Sequence, residues 1–204
     1  DRKALFIHAN MMDESQFESI TEKIKVPFGR LDILVNNVGG GRPTPLLEQS
    51  KNSINRHISL NLLSTIFLTQ SALPLIIEGK RGGTIINVAS TEALRAAPGF
   101  AVYAACKAGI VSFTKTMALE LADHNIRSFA MAPDMIATPG LAPLMNAATP
   151  SQQAARDRYI PNGRMGTLEE FGNTVAFLAS DNAAYLNGIT IPVDAGATAA
   201  AGWY

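Results

Sequence analysis

Apolar residues follow two alternating rhythms along the chain. The short runs 32–36, 83–89, 127–132 and 189–193 are almost continuously apolar, as strands covered on both faces are. Residues 4–8 read as a further strand. Between these runs the spacing is helical. Phe17, Ile20 and Ile24 mark a helix over 13–28, opened by the capping pair Asp13 and Gln16 and ended by Pro27 and Gly29. Ile54, Ile58, Leu62 and Ile66 mark a long helix over 50–77, with a break expected near Pro74. Another helix runs from Pro98-Gly99 to about Asp123, and Thr167 with Glu170 forms a capping box for one reaching Ser180. Strands alternating with helices predict an α/β fold, a doubly wound parallel sheet covered on both faces. The stretch 133–166 breaks the rhythm with five prolines and only short helical patches, the composition of a substrate-binding loop or lid.

Composition narrows the function classes. With 204 residues and 47% hydrophobic content, residues 1–204 are expected to form a single domain. Lys plus Arg and Asp plus Glu both total 17, so no charge footprint attracts nucleic acid or an anionic membrane, and a small-molecule partner is expected. Cys106 is the sole cysteine, and His8, His57 and His124 lack metal-ligand spacing, so neither a disulfide framework nor a bound metal is expected. No apolar run approaches the roughly 20 residues of a membrane span, and the opening apolar stretch is too short for a secretory signal. The expected location is the cytoplasm.

The candidate chemistry begins with Tyr103 and Lys107. Four residues apart on a helix, their side chains emerge on one face, about 5–6 Å apart at Cβ. A tyrosine of ordinary pKa near 10 is protonated at neutral pH, and a neighbouring ammonium favours the phenolate. Such a pair suits proton removal from an alcohol while a hydride leaves toward a positively charged acceptor. Ser90 stands just past the C-terminal end of the 83–89 strand, the sheet edge where open α/β folds bind ligands. Asn61 interrupts an apolar helix stripe, where an amide needs its hydrogen bonds met, and is expected to anchor a buried polar network. Met131, Met135, Met145 and Met165 gather around 133–166, as flexible lining for an apolar substrate pocket.

Taken in order, these residues resemble the short-chain dehydrogenase/reductase family. The run Leu31-Asp32-Ile33-Leu34-Val35-Asn36-Asn37-Val38-Gly39 resembles its N-N-A-G motif, and Ile85-Ile86-Asn87-Val88-Ala89-Ser90 its catalytic-serine strand. Tyr103-Ala104-Ala105-Cys106-Lys107 matches its Y-x-x-x-K helix, and Gly163-Arg164-Met165-Gly166 with Val193-Asp194-Ala195-Gly196 is similar to its ending. The resemblance implies a Rossmann-like fold and hydride transfer between NAD or NADP and a secondary alcohol or ketone. It implies Tyr103 as general acid/base and Ser90 orienting the substrate oxygen. Lys107 would hold the nicotinamide ribose and lower the tyrosine pKa, and Asn61 would hold a water of the proton relay. Asn10 and Met11 would contact adenine, and Asn37 and Gly39 would lie along the cofactor. Pro133, Ile136 and Thr138 would stand beside the nicotinamide carboxamide. It further implies a homo-oligomer, a dimer or tetramer, packed through the two long helices, with Gly202-Trp203-Tyr204 at an interface.

The sequence also departs from the family pattern. The first two strands and the Gly-rich T-G-x-x-x-G-x-G turn between them are not in these 204 residues. That turn cradles the pyrophosphate, and the end of the second strand selects NAD or NADP. Gly39-Gly40-Gly41 precedes a Pro-rich loop rather than a helix and is no substitute. An N-terminally truncated chain is expected, with the strand 32–36 left as an unpaired apolar edge. The alternative is a cofactor-free binding or scaffold protein, and a third reading is a lyase- or dehalogenase-like enzyme, against which Lys107 argues. Asp134 stands where the family usually has glycine, and puts a carboxylate near the expected nicotinamide pocket.

Overall fold

The computed structural model of the chain describes residues 3–200, so the Gly202-Trp203-Tyr204 segment lies outside the described residues. Four strands, β1 (Ile33–Asn36), β2 (Gly83–Val88), β3 (Ile126–Pro133) and β4 (Thr190–Val193), pair in parallel in that order. Each crossover carries helix. α2 (Lys51–Ile58) and α3 (Ser64–Glu78) lie between β1 and β2, and α4 (Ala101–Glu120) lies between β2 and β3. α5 (Ala142–Asn146), α6 (Pro150–Tyr159) and α7 (Leu168–Ala179) lie between β3 and β4, while α1 (Phe17–Phe28) precedes the sheet and packs on α3.

Successive strand residues face opposite sides, and β2 supplies a core to each. Ile85 packs with Leu34, Ile76, Leu121 and Ile126, whereas Ile86 packs with Phe129, Met131 and Leu178. Each of these side chains is buried, contributing about 1.5–3 kcal/mol. α7 is set by the expected capping box, in which Thr167 Oγ1 accepts from the Glu170 N–H at 3.1 Å and Glu170 Oε2 accepts from the Thr167 N–H at 2.8 Å.

A polar ladder crosses this apolar sheet. Asn36 and Asn87 are register partners on β1 and β2, and Asn36 Nδ2 donates to Asn87 Oδ1 at 2.8 Å and to Thr69 Oγ1 of α3 at 3.0 Å. Asn87 Nδ2 donates to Thr114 Oγ1 of α4 at 3.0 Å, and that hydroxyl donates to the Ile110 carbonyl. All four side chains are buried, so the ladder ties two helices to the sheet at one level. Asn87→Ala, which removes a hydrogen bond from each of two buried partners, is expected to destabilise the chain by about 3 kcal/mol, read as a lower urea midpoint at unchanged slope.

Three expectations are corrected. Residues 4–8 form no strand, because the strands that would bridge them to the sheet are not in the sequence and their backbone has no ladder to join. A groove of about 840 Å³, lined by Leu5, Ile7, Phe28, Leu31 and Ile33 among others, separates them from β1, whose Ile33 and Val35 are exposed. The long helix is unbroken at Pro74, which lies on its exposed side, where water can take the carbonyl released by the missing N–H. It is disturbed instead by a π-turn over Ser59–Leu63. Finally, Lys51–Glu78 as one 28-residue helix is long and apolar enough to cross a membrane, by length and composition alone. Its Ala72, Leu75 and Ile76 are buried in the core instead.

Candidate functional site

The candidate site gathers at the C-terminal edge of β2. Ser90 follows that strand in extended conformation, buried, and caps the short 3-10 turn Thr91–Ala93 by accepting from the Glu92 N–H at 3.3 Å. Its hydroxyl donates to the Glu92 carboxylate. Tyr103 is held in the first turn of α4, its ring edge-on to Phe100 with centroids 5.9 Å apart. Burial pushes its phenol above its ordinary pKa, the Ser90 hydroxyl beside it works against this, and the Glu92 charge adds to it.

Lys107 lies one turn further along α4 and is only 3% exposed. Its ammonium donates to the Val88 carbonyl at 2.7 Å and stands 5.7 Å from the Tyr103 ring centroid. Burial pulls its pKa from 10.5 down to about 8, with the neighbouring Cys106 working slightly against the fall. At neutral pH the charge is therefore kept at a cost to folding. Between pH 8 and 10.5 the unfolded chain binds the extra proton, so stability rises with pH through that window. We expect a gain of roughly 3 kcal/mol across it, measured as urea midpoints from pH 7.5 to 10.5, and its loss in Lys107→Met.

Asn61 sits on the π-turn, 1% exposed. Its Oδ1 accepts from the Gly40 N–H at 2.7 Å, and its Nδ2 donates to the Gly40 and His57 carbonyls at 3.0 Å each. The expected buried anchor is present, and what it holds is the glycine run. A π-turn opens the helix by one residue, which places this amide opposite the loop; no residue pattern in 50–77 signals it. The run needs glycine for close approach. A Cβ on Gly39 would lie 2.9 Å from both Asn61 Oδ1 and Lys107 Nζ, and one on Gly41 would lie 3.4 Å from Tyr103 Cδ2 and 3.1 Å from His57 Cε1.

The structure therefore brings Gly39, Asn61, Ser90, Tyr103 and Lys107 together. Pro133 ends β3 beside Val193, and Ile136 is buried and bridged to Gly166, with the Ala137 N–H donating to the Gly166 carbonyl at 2.8 Å. Asp134 and Ile136 line a cavity of about 370 Å³ with Gly166 and Val193. Thr138 follows, half-buried, its carbonyl taking the Leu141 N–H at 3.0 Å. Asn37 is exposed just past β1. Asn10 and Met11 sit on the turn before α1, where Asn10 Oδ1 accepts from the Met12 N–H. Met12 and Gly40 share one cleft, but no hydrogen bond among the described residues links Asn10, Met11 or Asn37 to the Tyr103 cluster.

Sequence reasoning missed Glu92, Arg95 and Tyr159, which stand around Ser90 and Asp134. Arg95 pairs with Glu92 at 3.0 Å and with Asp134 at 3.5 Å, and Tyr159 donates to Asp134 at 2.5 Å. The Glu92–Arg95 pairing was available as an (i, i+3) spacing, while Tyr159 lies 25 residues from Asp134 and carried no signal. Burial pushes the Asp134 carboxyl up, against Tyr159 and Arg95.

Comparison with known proteins identifies the family. The family described as enoyl-(acyl carrier protein) reductase matches residues 1–198. A 3-oxoacyl-[acyl-carrier-protein] reductase FabG of Thermotoga maritima is 39% identical over 187 residues, 92% of this chain and 74% of that protein. A 3beta-hydroxysteroid dehydrogenase 1 of Eggerthella lenta is 36% identical over 198 residues, 96% of this chain and 74% of that protein. The crystal structure of a short chain dehydrogenase from Bacillus anthracis superposes with a TM-score of 0.82 at 33% identity, covering 93% of this chain and 73% of that one. With the fold, the ordered motifs and these relatives in agreement, the chain belongs to the short-chain dehydrogenase/reductase family of nicotinamide-dependent oxidoreductases.

Proposed function

We propose that this site interconverts a small secondary alcohol and its ketone with NAD or NADP, using Tyr103 as general acid/base. The observation that carries the reading is the convergence of Ser90, Tyr103 and a buried, charged Lys107 at one sheet edge. When bound, the nicotinamide supplies the hydride donor or acceptor. The residues present fit its ribose half: Lys107 uses one of its three donors on Val88 and keeps two for hydroxyls, and the glycine run leaves an open approach beside it. Asn37 and Gly39 would lie along the cofactor, Pro133, Ile136 and Thr138 would meet the carboxamide, and Asn10 and Met11 would meet adenine.

In reduction Tyr103 gives its proton to the developing alkoxide, and in oxidation it takes the alcohol proton. Ser90 would direct its hydroxyl at the same oxygen once that hydroxyl leaves the Glu92 carboxylate. Asn61 keeps an open lone pair on Oδ1 for a relay water. The body of the substrate would enter a mainly apolar slot of about 420 Å³ under α6, lined by Met135, Met145, Ala148, Ala155, Arg156 and Tyr159. That mainly apolar lining favours a compact ketone. A cytoplasmic homo-oligomer packed through α3 and α4 completes the proposal.

The test is binding of NADH and NADPH by calorimetry, followed by turnover on alicyclic ketones and a 3-oxoacyl thioester, read by nicotinamide absorbance. Ketone-dependent oxidation of the bound dinucleotide is expected. Saturable dinucleotide binding without turnover on any carbonyl would overturn the proposal.

A further inference from the structure

Four side chains that take no part in the proton transfer above connect Ser90 to α6. The Ser90 hydroxyl donates to Glu92 Oε2, and Glu92 Oε1 takes Arg95 Nη2 at 3.0 Å. The same Nη2 stands 3.5 Å from Asp134 Oδ1. Asp134 Oδ2 in turn accepts from the Tyr159 hydroxyl at 2.5 Å, and the Arg95 guanidinium lies over the Tyr159 ring, 5.0 Å from its centroid. Tyr159 is the last residue of α6, the helix that roofs the apolar slot. Asp134, Glu92 and Arg95 side chains are 9%, 20% and 30% exposed, so water screens these charges only in part.

A serine hydroxyl has one proton. While it donates to Glu92 it cannot donate to a substrate oxygen. What can draw Glu92 off is Arg95, and Arg95 is shared between Glu92 and the Asp134–Tyr159 pair. We propose that Arg95 is a positioning residue coupling α6 to Ser90: a substrate that lifts Tyr159 lets Arg95 move fully onto Glu92, which releases the serine hydroxyl to the substrate oxygen. This rests on the reading of Ser90 as the group that meets that oxygen. It also gives Asp134, the carboxylate that departs from the family's glycine, a task.

The proposal separates from a merely structural role because its variants act in opposite senses. Arg95→Met leaves Ser90 held by Glu92 and is expected to lower kcat about tenfold with little change in KM. Arg95→Lys, which keeps the charge, should recover much of that loss. Tyr159→Phe frees Arg95 from the lid but also alters the slot, so KM is expected to rise several-fold, with kcat falling far less than in Arg95→Met. Arg95→Met combined with Glu92→Gln removes the competing carboxylate charge and should return kcat to within about threefold of the parent. Amide exchange over Pro150–Tyr159, measured without cofactor, should rise in both Arg95→Met and Tyr159→Phe. If kcat falls equally in Arg95→Met and Tyr159→Phe, or the double variant stays as slow as Arg95→Met, the coupling is wrong. Absence of turnover in the parent would overturn the oxidoreductase reading instead, and unchanged exchange in α6 would then overturn the coupling on its own.

Discussion

Tyr103→Phe is expected to lower kcat by about 10²–10⁴-fold, the range a positioned general acid/base contributes, with KM changed by no more than a few fold. The substitution isolates one atom. The ring, half-buried and edge-on to Phe100, keeps its packing, so the melting temperature should stay within a degree or two of the parent. Only the hydroxyl goes, and with it the proton that the proposed mechanism gives to the substrate oxygen. Direction matters as well. Burial and the nearby Glu92 charge hold the phenol above its ordinary pKa, so at neutral pH it keeps the proton that the proposed ketone reduction needs. Alcohol oxidation needs the phenolate and should therefore speed up as pH rises. Steady-state rates in both directions, from pH 6 to 9.5, check this. Turnover unchanged in Tyr103→Phe would remove the tyrosine from the mechanism and leave Ser90 as the remaining acid at that oxygen.

How much of this site the sequence disclosed depends on the range over which each contact acts. Tyr103 and Lys107 share a helix face through (i, i+4) spacing, and Ser90 follows an apolar run, so both are local facts written in adjacent residues. The capping box at Thr167 and Glu170 is equally local and stands as read. The environment of these groups is not local. That Lys107 is sealed from water, with its pKa pulled to about 8, follows from the approach of Val88 and the glycine run, which only the folded chain brings there. The π-turn that presents Asn61 has no residue signature, because it is selected by what the amide must reach on a loop 21 residues away. Residues 4–8 show the converse. Their apolar run is a sound local signal for a strand, yet a strand exists only by pairing, and the sheet offers these residues no neighbour. Tyr159 illustrates the remaining gap: an exposed-looking residue at the end of a short helix becomes part of the site through Asp134 and Arg95.

Gly39→Ala should lower kcat/KM by about 10²-fold while destabilising the chain by about 2 kcal/mol, although it adds only one methyl group. Backbone strain is not the reason, since Gly39 does not adopt the left-handed conformation that demands glycine. The methyl would stand 2.9 Å from Asn61 Oδ1 and 2.9 Å from Lys107 Nζ, distances real Cβ atoms do not show, so something must move. A long lysine usually swings aside at little cost. Here its ammonium is buried and bonded to the Val88 carbonyl, and Asn61 is fixed by Gly40 and His57. The glycine run is thus the easiest part to displace, and its retreat would break the Asn61–Gly40 pair and shift Gly41, which lies against Tyr103. A movement of about 1 Å at that level would spoil the alignment of the proposed proton donor and the substrate, which is the source of the expected hundredfold loss. Dinucleotide affinity, stability and kcat/KM should be measured on the same preparation. A loss of stability with kcat/KM intact would mean the run supports the fold alone; the expected result, a loss in kcat/KM far larger than the modest drop in stability, would make it part of the site.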